Sequence, residues 1–316
     1  MFVGEVTAVS ACRAVFALLL SVALPACGNH VDFDGSVAHP AYAKGAGPVV
    51  LFDQGHHNHH DLSGTYAPAA TVLANDGFQL RTLRSQYTAD SLSGASILLI
   101  VTAASPEDPN DAPAFTPEEV RTVTEWVKAG HSLLLVTDHY PFPNAVSGLA
   151  SALGLQTSNG MTFDKKHFRE GTDDDSRLIF SHSNGLLADH AITRGRNPSE
   201  RVSTVETFTG DAFRSVQPAG DLLKLSASSQ LHTGVPHIAR KGGDSSVTVE
   251  FVDPRPGAGW SQGTAFDFGR GRVVAFADAA MLTAAEDGGR KLGFNAPGNE
   301  NRQLLLNSMH WLARII

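Results

Sequence analysis

Residues 116–138 read TPEEVRTVTEWVKAGHSLLLVTD, and the stretch before them, 96–102, reads SILLIVT. Thr116 fits an N-cap, Pro117 the first helical position and Glu119 the capping-box position. Val120, Val123, Trp126 and Val127 then recur at helical spacing, and Gly130 closes the helix, so Trp126 is expected in the core. Strand, helix, strand in succession predicts a parallel sheet covered by helices on both faces.

The flanks extend the same pattern. Pro48–Asp53 (PVVLFD) reads as a buried strand, Ala67–Asn75 as a helix ended by Gly77, and Phe78–Leu83 as a second strand. A helix is expected over Asn144–Leu153. Two strands, Gly263–Phe268 and Arg272–Ala277, flank the turn Gly269-Arg270-Gly271. Residues 301–316 close the chain as an amphipathic helix with Leu304, Leu305, Met309 and Leu312 on one side, and His310 beside Trp311 as a packing residue. The middle, about 156–250, is polar and rich in Ser, Thr, Asp and Gly, with alternation near 202–208 and 246–252. It reads as an extended, β-rich insertion in one α/β domain spanning 48–316. No internal repeats occur.

Composition narrows the function. At 42% hydrophobic residues the 316-residue chain can bury a full core. A net charge of -8 (24 Lys+Arg against 32 Asp+Glu) argues against nucleic acid as a partner, because that needs a basic face. The two cysteines, Cys12 and Cys27, leave nothing downstream for a disulfide, a thiolate metal site or a cysteine nucleophile.

Ala14–Leu24 (AVFALLLSVAL) is an apolar run of 11 residues behind Arg13. A bilayer span needs about 20 residues, so this is a secretory leader. The junction Leu24-Pro25-Ala26-Cys27 resembles a bacterial lipobox, with Pro25 and Glu5 as departures. On that reading 1–26 is the signal peptide, Cys27 is lipidated and 27–47 is a polar tether; an ordinary secretory signal is the alternative. Either way the mature chain is extracytoplasmic. A lipid anchor would hold it to a membrane, in the periplasm or at the cell surface, and Gly28 in place of aspartate favours the outer membrane.

Three acids end predicted parallel strands: Asp53, Asp138 and Asp278. Ligands of open α/β sheets bind beyond those ends, so these acids are candidates for one crevice. After the first strand comes Gln54-Gly55-His56-His57-Asn58-His59-His60-Asp61, and Asp138-His139 repeats the same residue types. His56, His59, His60, Asp138 and His139 could hold a divalent metal, zinc before others, because imidazole and carboxylate suit it. The alternative is a hydrogen-bonding loop that orients a ligand. Asp173-Asp174-Asp175 lacks the spacing of a calcium loop and reads as a solvated turn. Gly259-Trp260-Ser261-Gln262-Gly263 matches GxSxG, but a Pro/Gly loop precedes it and a strand follows, so Ser261 is not expected to be a nucleophile.

The stretches VVLFDQGHHNHHDLSGTYAPAATVLANDGF, ILLIVTAA, EWVKAGHSLLLVTDHYPFP, HAITRG, GRGRVVAFADAAMLT and APGNENRQLLLNSMHWL together resemble a bacterial family of class I glutamine-amidotransferase-like domains of unknown function. They cover most of 48–315. The resemblance implies a flavodoxin-like three-layer sandwich with a mostly parallel sheet, related to trehalose-utilization-like domains and to auxiliary domains of gliding and transport systems. True amidotransferases carry a cysteine on the turn after the strand equivalent to SLLLVT. Asp138-His139-Tyr140 stands there instead, so thioester chemistry is not expected. The residues the resemblance carries over are Asp53, His56, His57, Asp138, His139, Asp278, Asn299, Glu300 and Asn301, the last three at the start of the final helix, where backbone N–H groups favour anions.

Two functions fit. One is a hydrolase in which Asp53, His56, Asp138, His139 and Asp278 activate water, with or without a metal, and His57, Asn299, Glu300 and Asn301 bind the ligand. The other is a non-catalytic domain of the cell envelope holding a small-molecule, glycan or peptide ligand in the same crevice, or docking a partner protein. The lipobox reading makes its own prediction: Cys27→Ser moves the protein from the membrane to the soluble fraction, and a variant that stays membrane-bound contradicts it.

Overall fold

A computed structural model describes residues 33–105, 112–216, 220–241 and 244–316. The leader, Cys27 and the segment to residue 32 lie outside the described residues. In chain order the elements are β1 Val49–Asp53, α1 Ala67–Asn75, β2 Gln79–Leu83, β3 Ile97–Val101, α2 Pro117–Lys128, β4 Ser132–Val136, α3 Phe142–Ala145, α4 Ser147–Ala152, β5 Leu155–Thr157, β6 Gly160–Asp164 and β7 Ile179–Ser181. There follow α5 Ala191–Arg194, β8 Thr204–Glu206, β9 Phe213–Ser215, β10 Gly220–Lys224, β11 Ser229–Lys241, β12 Asp244–Pro256, β13 Ser261–Phe268, β14 Gly271–Phe276 and α6 Asn301–Leu312.

The main sheet runs β2-β1-β3-β4-β14-β13-β9-β5, with β10 also on β13. Its first five strands are parallel, in the flavodoxin-like order, and the rest are antiparallel. Alternation along the parallel strands makes the layers. Phe52, Leu99, Leu134 and Phe276 pack with α1 and α6 on one face, while Leu51, Leu98, Leu133 and Ala275 pack with α2 and α4 on the other. The fold is therefore an α/β three-layer sandwich of flavodoxin-like type. Thr116 and Glu119 form the capping box of α2, with Pro117 opening the helix.

The insertion enlarges the sheet instead of standing apart. β5, β9 and β10 extend it, β6, β11 and β12 form a second sheet, and β11–β12 is a ribbon of two 13-residue strands. Some expectations need correcting. The helix over 144–153 is two short helices divided at Val146, because the chain turns at Pro141 and restarts after Ala145. Trp126 is only half-buried and stacks on His131 at 4.3 Å, since it lies at the margin of α2's apolar stripe. Residues 33–47 are not a free tether. Asn75 donates to the Gly35 carbonyl, Arg302 to that of Asp34, Arg196 to that of His39, and the Ala41 N–H donates to Asp76, while Phe33 packs on Phe294. No helix among the described residues is long and apolar enough to cross a membrane.

β6 and β11 meet at Gly160, where a Cβ would stand 1.6 Å from the His232 carbonyl oxygen. Gly160→Ala should therefore lower stability by at least about 1–3 kcal/mol through overpacking. A urea midpoint equal to wild type would show that this contact is looser than described.

Candidate functional site

The parallel register decides what shares the carboxyl edge. Val101 pairs with Val136, and Val136 with Phe276, so Thr102, Thr137 and Ala277 emerge side by side, with Asp138 and Asp278 one residue beyond. Between β1 and β3 the strand order reverses, which is where such sheets open a crevice. Thr102 stands there, fully buried, at φ 40°. A β-branched residue in the left-handed region is strained and persists only where surroundings over-determine it. Here they do. The Thr102 N–H donates to Val136, its carbonyl accepts from His59 N–H, its hydroxyl accepts from His60 N–H, and the Ala104 N–H donates to the His56 carbonyl. The histidine segment is thus sewn onto the end of β3.

Its histidines divide into two groups. His56 is buried, with Nδ1 2.8 Å from Asp53 Oδ1 and Nε2 2.9 Å from Glu119 Oε1. Tyr87 and Phe115 pack on its ring at 4.4 and 4.9 Å. Asp53 also accepts from the Gly55 N–H and Asn58 Nδ2, and Glu119 from the Tyr87 and Thr116 N–H groups. Burial lowers the imidazole's proton affinity, but hydrogen bonds and charge from Asp53 and Glu119 outweigh it, and the pKa stands above the usual 6.5. Burial likewise raises Glu119, yet His56 and Thr116 bring it below its usual 4.5. Both ring nitrogens of His56 are occupied, so this arrangement leaves none for a metal or for proton abstraction.

His139 and His59 stand by the acids. Asp138 accepts from the His139 and Ala279 N–H groups; Asp278, wholly buried, accepts from those of Phe208 and Met281. Burial raises Asp138 against the opposing pull of His139, and it raises Asp278 much further, helped by the charge of Asp138. Neighbouring buried acids do not both ionise, so Asp278 keeps the proton. Tyr66 stands by the pair, its hydroxyl donating to the Ala279 carbonyl. His139 Nδ1 lies 2.7 Å from the Tyr140 carbonyl, which only accepts, so in the neutral ring that nitrogen carries the hydrogen and Nε2 holds the lone pair. Nε2 is 3.9 Å from Asp138 Oδ1. His60 packs on Tyr66 at 5.2 Å, and burial together with His59 pushes its pKa down to about 3. His59, Phe142, His139 and Phe251 complete an aromatic rim with centroid spacings of 5.7–6.4 Å.

The remaining candidates lie elsewhere. His57 is exposed at φ 47°. Asn299 caps the carbonyls of Gly293 and Ala296, Glu300 accepts from the Ser203 and Thr204 N–H groups, and buried Asn301 joins Glu206 to Met281. Glu300 and Asn301 stitch the last helix to the insertion through backbone groups, while Asn299 holds the turn that leads into it. Ser261 is buried and donates to the Leu223 carbonyl, Asp174 takes Ser176 and Arg290, and His310 is buried against Asp76. Among the described residues no three His, Cys, Asp or Glu side chains converge as a metal centre requires, so the zinc expectation finds no ligand set here. Sequence reasoning missed Glu119 as a partner of His56, and also Tyr66, Thr102, Phe142 and Phe251. A capping-box glutamate gave no sign of a second task 63 residues away.

No family model matches the chain, and no curated protein does. Among solved structures, the N-terminal domain of mmIFT52 has a TM-score of 0.55 at 12% identity, covering 84% of this chain and 97% of that one. A putative ThuA-like protein from Parabacteroides merdae gives 0.43 at 13%, covering 84% and 90%. A β-galactosidase from Rahnella sp. R3 gives 0.41 at 8%, covering 85% of this chain and 32% of that one. The first supports the fold and is silent on activity; the other two, below 0.5, carry no weight.

The buried relay has a definite pH signature. His56, raised, contributes stability in full below about 6.5 and loses it as pH climbs through its folded pKa; Glu119, lowered, contributes above about 4.5 and loses it as pH falls through its own. His56→Leu strands two buried carboxylates and should cost roughly 3–5 kcal/mol. His56→Gln should lose the alkaline slope. Urea midpoints that fall identically in wild type and His56→Gln above neutral pH would contradict the relay.

Proposed function

We propose that the chain is an extracytoplasmic lipoprotein, acylated at Cys27, whose strand-end rim hydrolyses a ring-bearing polar ligand such as a glycan by acid–base chemistry without a metal. The observation that carries this is the acid pair beneath an imidazole with a free lone pair: Asp278 protonated, Asp138 the ionised member, His139 Nε2 beside it. Pairs of groups whose surroundings push their proton affinities apart are the usual mark of acid–base work. His139 Nε2 takes a proton from water as the hydroxide adds to the carbonyl carbon of an ester borne by the ligand, and the tetrahedral adduct then expels the alcohol oxygen as the C–O bond breaks. Asp138 stabilises the imidazolium so formed, and His139 returns the proton to the leaving group. Phe142, Phe251 and His59 offer ring faces on which a sugar stacks. His56 and Asp53, tied to Glu119, position the loop and do not touch the ligand.

A second reading, a glycan-binding domain without turnover, draws on the same aromatic rim and on His139 Nε2 beside Asp138. Assays with 4-nitrophenyl acetate and a set of 4-nitrophenyl glycosides separate the two. The hydrolase reading expects turnover that survives chelation, and a fall of roughly 10²–10⁴-fold in kcat for His139→Gln with an unchanged unfolding midpoint. Glycan binding with no turnover of any substrate supports the second reading, and loss of activity on chelation restores the metal.

A further inference from the structure

The docked segment 33–42 has a direction. Phe33 packs 5.6 Å from Phe294, and the Asp34 carbonyl accepts from Arg302 in the first turn of α6. From there the chain descends past Gly35, held by Asn75, to Tyr42, whose N–H donates to the Asp76 carbonyl at the far end of α1. The upper end of this strap adjoins the strand-end rim. The residue before Arg302, Asn301, donates to the Met281 carbonyl, the Met281 N–H donates to Asp278, and the Phe294 N–H donates to Thr283. The described segment therefore begins at the rim end and runs away from it.

From Cys27 to Phe33 is six residue steps, which reach at most about 21 Å when fully extended. An acyl chain on Cys27 would leave the rim end no further than that from the lipid surface. The opposite end, where α2 stops at Lys128 and the Arg270 N–H donates to the Lys128 carbonyl, lies beyond the length of the sheet. Five-residue strands alone set the two ends about 17 Å apart.

We propose that the anchor and the strap together turn the strand-end rim toward the bilayer, so that the site acts on the polar portion of a molecule held at the membrane surface. This rests on the rim and on the anchor proposed above, and it names the substrate class: a headgroup or glycan carried on a lipid. Phe33 and Phe294 would lie at the edge of that approach, next to a cleft of 430 Å³ lined by Asn299, Glu300 and Arg302.

The orientation can be read without an activity assay. Ser63→Cys places a fluorophore on the exposed rim loop and Ala129→Cys places one at the opposite end; the acylated Cys27 does not compete for label. The acylated, full mature chain is reconstituted into vesicles of phosphatidylethanolamine and phosphatidylglycerol containing an acceptor lipid. Energy transfer from position 63 should exceed that from position 129 at least roughly twofold, given ends separated by more than the strand length. Equal or reversed transfer overturns the orientation, and an acylated chain that fails to associate overturns it through the anchor. Turnover of a soluble substrate with reversed transfer leaves the rim chemistry standing and removes this inference. The expected ratio with no turnover does the opposite.

Discussion

The buried chain of Asp53, His56 and Glu119 is the constraint on which the rest of the site depends. It joins the end of β1 to the first turn of α2, with His56 and Glu119 63 residues apart in sequence, and it spends both nitrogens of one imidazole doing so. Three ionisable groups in a dry interior are tolerable because one imidazolium bridges both carboxylates and further N–H groups take the remaining lone pairs. With His56 pinned, the loop after it has one path. Its backbone bonds to the strained Thr102, His59 arrives within the reach of the Asp138 charge, and His60 packs on Tyr66. Dense histidine in a short segment is therefore a division of labour between a locked ring and rings at the rim.

The sheet supplies the other half. Parallel strands in register bring Asp138 and Asp278 to one edge from 140 residues apart, and burial there sets their protons against each other. The charge of Asp138 adds to burial in raising Asp278, while the imidazoles of His139 and His59 pull Asp138 the other way. Such an edge favours an arrangement in which one acid is neutral, one is ionised and an imidazole mediates. The hydrolytic reading follows from that arrangement, and the aromatic rim gives it a ligand shape.

Much of this was legible from sequence, for physical reasons. Apolar runs such as SLLLV and a capping box are local signals, and they gave the parallel core and the start of α2 where the structure has them. The acids at strand ends were legible because strand ends are where apolar runs stop. Partnership was not legible. Nothing local marks Glu119 as bonded to His56, Phe251 as a neighbour of His139, or residues 33–47 as docked, since each contact depends on how distant segments meet. Polar composition read as a tether because the segment is held by its backbone carbonyls and by Asp76, and backbone bonding leaves little trace in side-chain chemistry. Asn299, Glu300 and Asn301 looked like ligand groups for the converse reason: polar side chains that stitch loops have the same composition as polar side chains that bind.

The division between a locked and a working histidine is the central claim, and the imidazole ¹⁵N resonances of the folded protein test it most directly. Above the ordinary imidazole pKa of about 6.5, His56 should still show two protonated ring nitrogens, and His139, wherever its ring is neutral, should carry its hydrogen on Nδ1 with Nε2 bare. A His56 that deprotonates with the free imidazole value, or a His139 that carries its hydrogen on Nε2, would contradict the account.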